Sequence, residues 1–206
     1  MKRRFYFDAE PWYRRENTID WYQQMSLTNE AVQKILSRLV SVVHSILEVA
    51  CGGGGLAIFL ASLQPAKYLG FDFAETAILN AKERLKSFPN FSVHTGDALE
   101  LGEYTDNYDL IIAHQFFHCL IGKDRREFLS NCKKALKNNN GILIISSMHG
   151  VPVGLEIDTV SRINKPENRY YAYDYEIKSE IESVEFTIIE TSYPEKHSVI
   201  FVSRYL

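Results

Sequence analysis

"ILEVACGGGGLAIFLA", residues 46–61, sets four consecutive glycines between a short apolar run and a second apolar stretch. A flexible linker is not flanked tightly by a buried strand and an apolar helix, so the glycines read as a strand-to-helix turn. Glycine there accepts positive φ and lets a ligand approach the main chain. The helix that follows offers free N–H groups and the positive end of its dipole. A ligand over the backbone is expected, and the flanking residues decide which.

Strand-like and helix-like stretches alternate on both sides of this turn. From Thr28, read as an N-cap, Val32, Ile35, Leu36, Leu39 and Val43 recur at helical spacing. "SILEVA" (45–50) is a short strand and "LAIFLASL" (56–63) a helix; "KYLGFDF" (67–73) is a second strand, before a helix that buries Ile78, Ala81, Leu85 and Phe88. "FSVHTGD" (91–97), "YDLIIAH" (108–114) and "GILIISS" (141–147) supply three more strands, the last two apolar enough to be covered on both faces. Asp124 and Glu127 fit a capping box for a helix over 124–137 that "NNNG" ends. Residues 150–173 read as a loop with a short helix, a helix starts behind Asp174, and "EFTIIETS" and "SVIFVSR" form a closing antiparallel pair. The pattern predicts an α/β three-layer sandwich around a mostly parallel sheet, with ligands bound beyond the carboxyl ends of its strands.

Composition narrows the class. The chain has 206 residues, 46% of them hydrophobic and 24% charged, which suits one domain with a sizeable core. A formal charge of −3 gives no basic excess for nucleic acid. "MKRR" is followed by acids instead of the apolar region of a signal peptide, and no apolar run nears the roughly 20 residues that span a bilayer. Cys51, Cys119 and Cys132 are odd in number and lack metal-ligand spacing, which fits reduced thiols in a cytoplasm. The expectation is a soluble cytoplasmic protein, monomer or homodimer, with no nucleic-acid or membrane partner and no metal.

Two cofactors compete for the turn. Gly52, Gly54 and Ala57 satisfy G-x-G-x-x-A with Asp72 about 20 residues on, so the dinucleotide fingerprint is nominally met. Glu48, at the end of the first strand, opposes an anionic pyrophosphate and suits a ligand with an ammonium and a sulfonium. Asp97 ends the third strand, where a carboxylate can accept from an adenine amino group. A helical segment precedes the first strand, and an antiparallel pair replaces a sixth parallel strand. These four features favour S-adenosyl-L-methionine over a nicotinamide.

From about Thr28 onward the chain resembles the class I S-adenosylmethionine-dependent methyltransferases. "LEVACGGGG" is similar to their first motif, "LGFDF" to the second, "TGDALEL" to the third and "YDLIIAHQFFHCL" to the fourth. "ALKNNNGILIISS" resembles the turn into their fifth strand. Ala50 replaces a common glycine, "NNNG" lacks the usual proline, and "SVEF" lacks a common glycine. The resemblance implies a Rossmann-like sheet of seven strands ordered 3-2-1-4-5-7-6, one of them antiparallel. It further implies a single methyltransferase domain over 1–206, with a lid or helical segment at 1–44, a cofactor-binding core at 45–149, and a substrate wall with the closing strands at 150–206.

Carried over residue by residue, the resemblance brings Ala50, Gly52 and Gly54 near the methionine part of the cofactor. Glu48 holds the loop and reaches the ammonium through water. Asp72 takes both ribose hydroxyls, Phe73 stacks on the adenine, and Asp97 with Ala98 reads the adenine edge. His114 lies where the family contacts the methionine part and the methyl group, and His118 follows. Either imidazole suits a general base, and for His118 a packed ring closing the pocket floor is the competing reading. Tyr13, Tyr22, Phe117, His149, Arg169 and Tyr171 are expected to line the substrate side.

Methyl transfer from a sulfonium is an in-line displacement, which needs alignment and exclusion of water more than an acid–base dyad. The segment after the fourth strand lacks the signatures of amino-methylating nucleic-acid enzymes, protein arginine enzymes and catechol-type magnesium enzymes. That leaves a small-molecule acceptor, with S-adenosyl-L-homocysteine as product. A catalytically inactive cofactor-binding or regulatory protein of the same fold is the alternative, followed by a nicotinamide-dependent oxidoreductase.

Overall fold

The computed structural model describes residues 27–39, 42–105, 107–137, 140–151, 162–164 and 169–205. In chain order the elements are α1 (Leu27–Leu39), β1 (Ser45–Val49), α2 (Gly55–Ser62), β2 (Lys67–Asp72), α3 (Glu75–Leu85), β3 (Phe91–Thr95), β4 (Leu110–His114), α4 (Lys123–Ala135) and β5 (Ile142–Met148). There follow β6 (Ile163–Asn164), β7 (Arg169–Tyr170), α5 (Asp174–Glu182), β8 (Phe186–Glu195) and β9 (Ser198–Tyr205). Short 3-10 turns stand at Leu101–Glu103 and Phe117–Cys119.

Seven strands form one sheet in the order β3-β2-β1-β4-β5-β9-β8, and β6 pairs with β7 in a separate two-stranded ladder. Counted along the large sheet alone, this is the expected 3-2-1-4-5-7-6. Strands β1 to β5 are parallel, while β9 runs antiparallel to both β5 and β8. The central strands are apolar throughout because helices cover both faces. Ile46, Leu110, Ile112, Ile142 and Ile144 pack with Val32, Leu36, Leu60 and Ile78 of α1, α2 and α3. Leu47, Val49, Ile111, Ala113, Leu143 and Ile145 pack with Phe128, Leu129, Ile177 and Ile181 of α4 and α5. Strand order reverses between β1 and β4, so their carboxyl ends open the crevice where this class of sheet takes ligands.

Local expectations are corrected in four places. Thr28 lies within α1 and does not cap it; its hydroxyl donates to Ser198 Oγ at 2.8 Å, tying the helix to the start of β9. The Asp124–Glu127 capping box gives way to a Gly122 N-cap at φ 60 with no side-chain cap, a backbone conformation that glycine takes without strain. Helix α5 is capped at Tyr173, whose N–H donates to Glu176 Oε2 at 2.7 Å. Val43 and Phe88 fall beyond α1 and α3, with Phe88 tilted against Phe91 at 5.8 Å. The short helix expected within 150–173 lies, apart from the β6–β7 ladder and its flanks, outside the described residues.

Candidate functional site

The glycine turn is built from three consecutive reversals. Ala50, Gly52 and Gly54 have φ of 58°, 53° and 79°. These turn the chain sharply from β1 into α2, with the Gly54 N–H donating to the Cys51 carbonyl at 3.1 Å. Gly54 also needs to be small, because a Cβ there would stand 3.2 Å from the Ala81 Cβ of α3. Ala50 takes the same left-handed region without glycine's freedom, so the turn carries some strain.

Asp72, at the end of β2, holds this turn in place. Its Oδ2 accepts the Gly52 N–H at 3.0 Å and its Oδ1 accepts the Ala74 N–H at 2.9 Å, with the side chain buried. The Cys51 N–H donates to the Phe71 carbonyl at 2.8 Å, a second tie between turn and strand. A carboxylate offers about four lone-pair sites, more than these two backbone bonds use. Asp72 is thus a clamp on the loop.

Glu48 lies deeper than the sequence suggests. It is 3% exposed, and the Tyr68 hydroxyl donates to its Oε2 at 2.7 Å. Burial pushes its pKa up to about 8, Tyr68 pulls it down and the nearby Asp72 raises it again. The carboxyl therefore carries its proton at neutral pH, and its charge is not a standing feature of the crevice. Gly70 makes the Tyr68 contact possible: a Cβ on it would lie 2.7 Å from the Tyr68 hydroxyl and 2.9 Å from Cys51 Sγ. Burial, Glu48 and Asp72 all push the Cys51 thiol up, so it stays protonated and inert.

Asp97 Oδ1 accepts the Leu99 N–H at 2.9 Å, an Asx-type turn that shapes the segment after β3. Ala98 packs at the margin of the core, and half-buried Phe73 packs against Ala74 and Ala77 beside the turn. Gly96 seats against Phe71, where a Cβ would meet the ring at 3.0 Å. Asp72, Phe73, Asp97 and Ala98 thus flank the carboxyl ends of β2 and β3.

At the end of β4, His114 Nε2 lies 2.8 Å from Asn29 Oδ1 of α1, and burial lowers its pKa to about 4. His118 sits 3% exposed in the following 3-10 turn, where its Nδ1 accepts the Met148 N–H at 3.3 Å. Burial first, then Arg169, Arg125 and His114, bring its pKa to about 3. Both imidazoles are neutral at physiological pH, and His118 already uses the nitrogen a base would need. The packed-ring reading describes His118 in this structure.

The expected substrate wall divides. His149 is half-buried at the end of β5, edge-on to Tyr193 at 5.6 Å, and burial lowers its pKa. Arg169 is half-buried in β7 with Nη1 3.8 Å from Met148 Sδ. Phe117 is fully buried with the Arg125 guanidinium 3.9 Å over its ring, and Tyr171 is also buried. Both fill core and offer little surface to a ligand. Tyr13 and Tyr22 lie outside the described residues.

Four participants escape sequence reading. Asn29 and Tyr68 sit in apolar-periodic segments without any motif. Arg125 looks like one more charge on a polar helix, yet it is 2% exposed, bonded through Nε and Nη2 to Glu180 and through Nη1 to the Phe117 carbonyl. A signal exists only for Gly70, as a glycine inside a strand, which marks close approach of another group.

Comparison with known proteins defines the class. Residues 47–143 match the family model described as a methyltransferase domain. The phthiotriol/phenolphthiotriol dimycocerosates methyltransferase of Mycobacterium tuberculosis is 32% identical over 93 residues, which are 45% of this chain and 33% of that protein. A ribosomal protein methyltransferase of Lactobacillus johnsonii is 27% identical over 151 residues, 63% of this chain and 47% of that protein. The matches to the mycobacterial relatives thus span about a third of those proteins' length.

Among solved structures, the N-methyltransferase NodS of Bradyrhizobium japonicum, in complex with S-adenosylhomocysteine, superposes at a TM-score of 0.70 with 18% identity, covering 96% of this chain and 98% of that one. Phosphoethanolamine N-methyltransferase 1 of Haemonchus contortus, in complex with phosphoethanolamine and S-adenosylhomocysteine, gives 0.74 with 18% identity, covering 94% and 47%. The chain thus has the fold of the class I S-adenosylmethionine-dependent methyltransferases, and its residues 47–143 resemble a methyltransferase domain.

Proposed function

We propose that the protein is an S-adenosyl-L-methionine-dependent methyltransferase acting on a small-molecule acceptor. The observation that carries this reading is the Asp72 clamp on the Gly52 turn, which sets a carboxylate and a glycine backbone together at the carboxyl ends of β2 and β1, beside the β1–β4 crevice. The residues present fit that cofactor. Asp72 would hold the ribose hydroxyls, Asp97 and Ala98 the adenine edge, Phe73 the adenine face, and the 50–54 turn with Glu48 the amino-acid end. When bound, the cofactor supplies an electrophilic methyl on a sulfonium. The chain's own part is to orient the acceptor behind that methyl, exclude water and accept a hydrogen bond from the nucleophile.

Supporting a small-molecule acceptor, the mycobacterial relatives are named phthiotriol/phenolphthiotriol dimycocerosates methyltransferases, and one structural neighbour is a phosphoethanolamine N-methyltransferase in complex with phosphoethanolamine, itself a small molecule. His149 and Arg169, at the ends of β5 and β7, are the described residues best placed to meet it. We assign the protein to the cytoplasm as a monomer or homodimer; its three cysteines form no disulfide, and among the described residues no helix is long and apolar enough to cross a membrane.

A second reading, a binding protein without turnover, is favoured by one fact: neither His114 nor His118 is poised to take a proton at neutral pH. Calorimetry with S-adenosylmethionine, followed by methyl transfer from labelled cofactor into a metabolite extract, separates the two. Binding with transfer supports the enzyme, binding without transfer supports the second reading, and no binding removes both.

A further inference from the structure

Gln115 follows β4 directly and has a φ of 54°, in the left-handed region that a residue with a side chain takes only under constraint. The constraint comes from β5, where the Ser146 carbonyl accepts the Gln115 N–H at 2.8 Å. The side chain is tied down as well. Its Nε2 donates to Ser146 Oγ at 3.1 Å and, more loosely, to Ser198 Oγ at 3.4 Å. Both serines are buried, and the Thr28 hydroxyl of α1 donates to the same Ser198 Oγ. The amide therefore sits where β4, β5, β9 and α1 meet, beside the crevice that β1 and β4 open.

With its nitrogen held by two buried hydroxyls, the amide keeps its oxygen for another partner. Among the described residues no group donates to Gln115 Oε1, and the residue is half-buried. An amide oxygen accepts a hydrogen bond but takes no proton in neutral water. It can steer a nucleophile that already has a lone pair, and it cannot make one by deprotonation. The imidazoles of His114 and His118 at the same edge are held neutral and weakly basic, and His118 Nδ1 is engaged by the Met148 N–H. The His149 ring, at the end of β5, lies edge-on to Tyr193 of β8.

Acceptor atoms differ in what they ask of such a site. A hydroxyl or a carbon acid must lose a proton before or during attack. A thiolate or phenolate has no hydrogen to give an amide oxygen. A neutral amine carries a lone pair and an N–H on one atom and needs no base.

We propose that Gln115 Oε1 accepts an N–H from the acceptor's reacting amine, and that the methyl group is transferred to nitrogen. This rests on the methyltransferase reading made above. In the step the nitrogen lone pair forms the new N–C bond, and the S–C bond breaks with its electron pair left on sulfur. The positive charge passes to nitrogen, whose extra proton is lost to water afterwards. An N–H on a nitrogen gaining charge is a stronger donor, so the bond to Gln115 tightens in the transition state and lowers the barrier there.

The test incubates the wild-type protein with S-adenosylmethionine carrying a ¹³C methyl and a metabolite extract, and reads the ¹³C shift of the transferred methyl. An N-methyl product is expected. Gln115→Met fills similar space without the acceptor oxygen. It is expected to lower the transfer rate about tenfold or more, with affinity for S-adenosylhomocysteine within about twofold of wild type by calorimetry. Gln115→Glu restores an acceptor oxygen and is expected to stay within about fivefold of the wild-type rate.

A methyl found on oxygen, sulfur or carbon overturns the proposal and leaves the methyltransferase reading standing, and that readout needs no variant to fold. A Gln115→Met protein that transfers at the wild-type rate overturns it too. So does one that loses S-adenosylhomocysteine affinity along with activity, because Gln115 is then a support of the cofactor site. A wild-type protein that binds the cofactor without transfer, or does not bind it, overturns both.

Discussion

Asp72 Oδ2 accepts the Gly52 N–H at 3.0 Å, so the acid at the end of β2 and the glycine after β1 are one unit before any ligand arrives. Removing the carboxylate takes away the partners of two backbone donors, Gly52 and Ala74. Asp72→Ala is expected to cost about 3 kcal/mol of stability, since bonds to charged acceptors run at roughly 1.5–3 kcal/mol each and are not fully additive. It is also expected to lower affinity for S-adenosylmethionine at least about tenfold. Asp72→Asn, with one oxygen left, falls between. Urea unfolding and calorimetry read the two effects, and unchanged affinity would falsify the ribose assignment.

The glycines of the turn are unequal. Gly54→Ala adds a Cβ against Ala81 at a φ of +79°, for a cost of about 2–3 kcal/mol. At Gly53 the nearest neighbour of an added Cβ is the Asn80 Cβ at 3.8 Å, ordinary contact, so Gly53→Ala stays within about 0.5 kcal/mol. Ala50→Gly releases the strain of φ 58° but loosens the unfolded chain, for a net gain of about 0.5 kcal/mol or less. Thermal melts of the three variants should rank in that order.

Arg125 and Glu180 form an asymmetric pair, with side chains 2% and 32% exposed. Arg125→Met leaves a carboxylate that can turn to water, whereas Glu180→Ala leaves a guanidinium locked inside. The second substitution is expected to be the more damaging, at about 3 kcal/mol or more. Equal or reversed losses in denaturant unfolding would count against that picture.

Stability should pass through a maximum near pH 6.5. Glu48 has a folded pKa of about 8 against 4.5 in the unfolded chain, so the folded state holds an extra proton in that window and stability falls as pH rises through it. His114 and His118 have folded pKa values of about 4 and about 3 against 6.5, so the unfolded state binds more protons and stability falls as pH drops below 6.5. Between 4.5 and 6.5 two histidines outweigh one glutamate; above 6.5 Glu48 acts alone. Glu48→Gln, which imitates the protonated acid, is expected to flatten the alkaline side and leave the acid side intact. Melting temperatures at one-unit pH steps check both limbs.

The sheet was readable because its central strands have no polar face: "YDLIIAH" and "GILIISS" admit few places other than between two helical layers. The turn was readable because glycine and acid recur where a strand ends. The electrostatics were not. Opposition of Glu48 to a pyrophosphate presumes an ionised carboxylate, and only the structure shows the Tyr68 hydroxyl and the burial that keep the proton on. Capping at Asp124 failed for a similar reason, since tertiary burial of that side chain and the Gly122 backbone override a local motif. Asn29 and His114 are 85 positions apart, and no periodicity links them.

The arrangement of β9 between β5 and β8 has a consequence for synthesis. Residues 198–205 leave the ribosome after every other described strand, yet they must slide into the middle of a half-sheet. Until then the seven residues Ile142–Met148 present a bare, apolar edge. A nascent chain of this kind cannot complete its sheet until residues 198–205 have emerged, and it is most exposed to mispairing in the moments before they do.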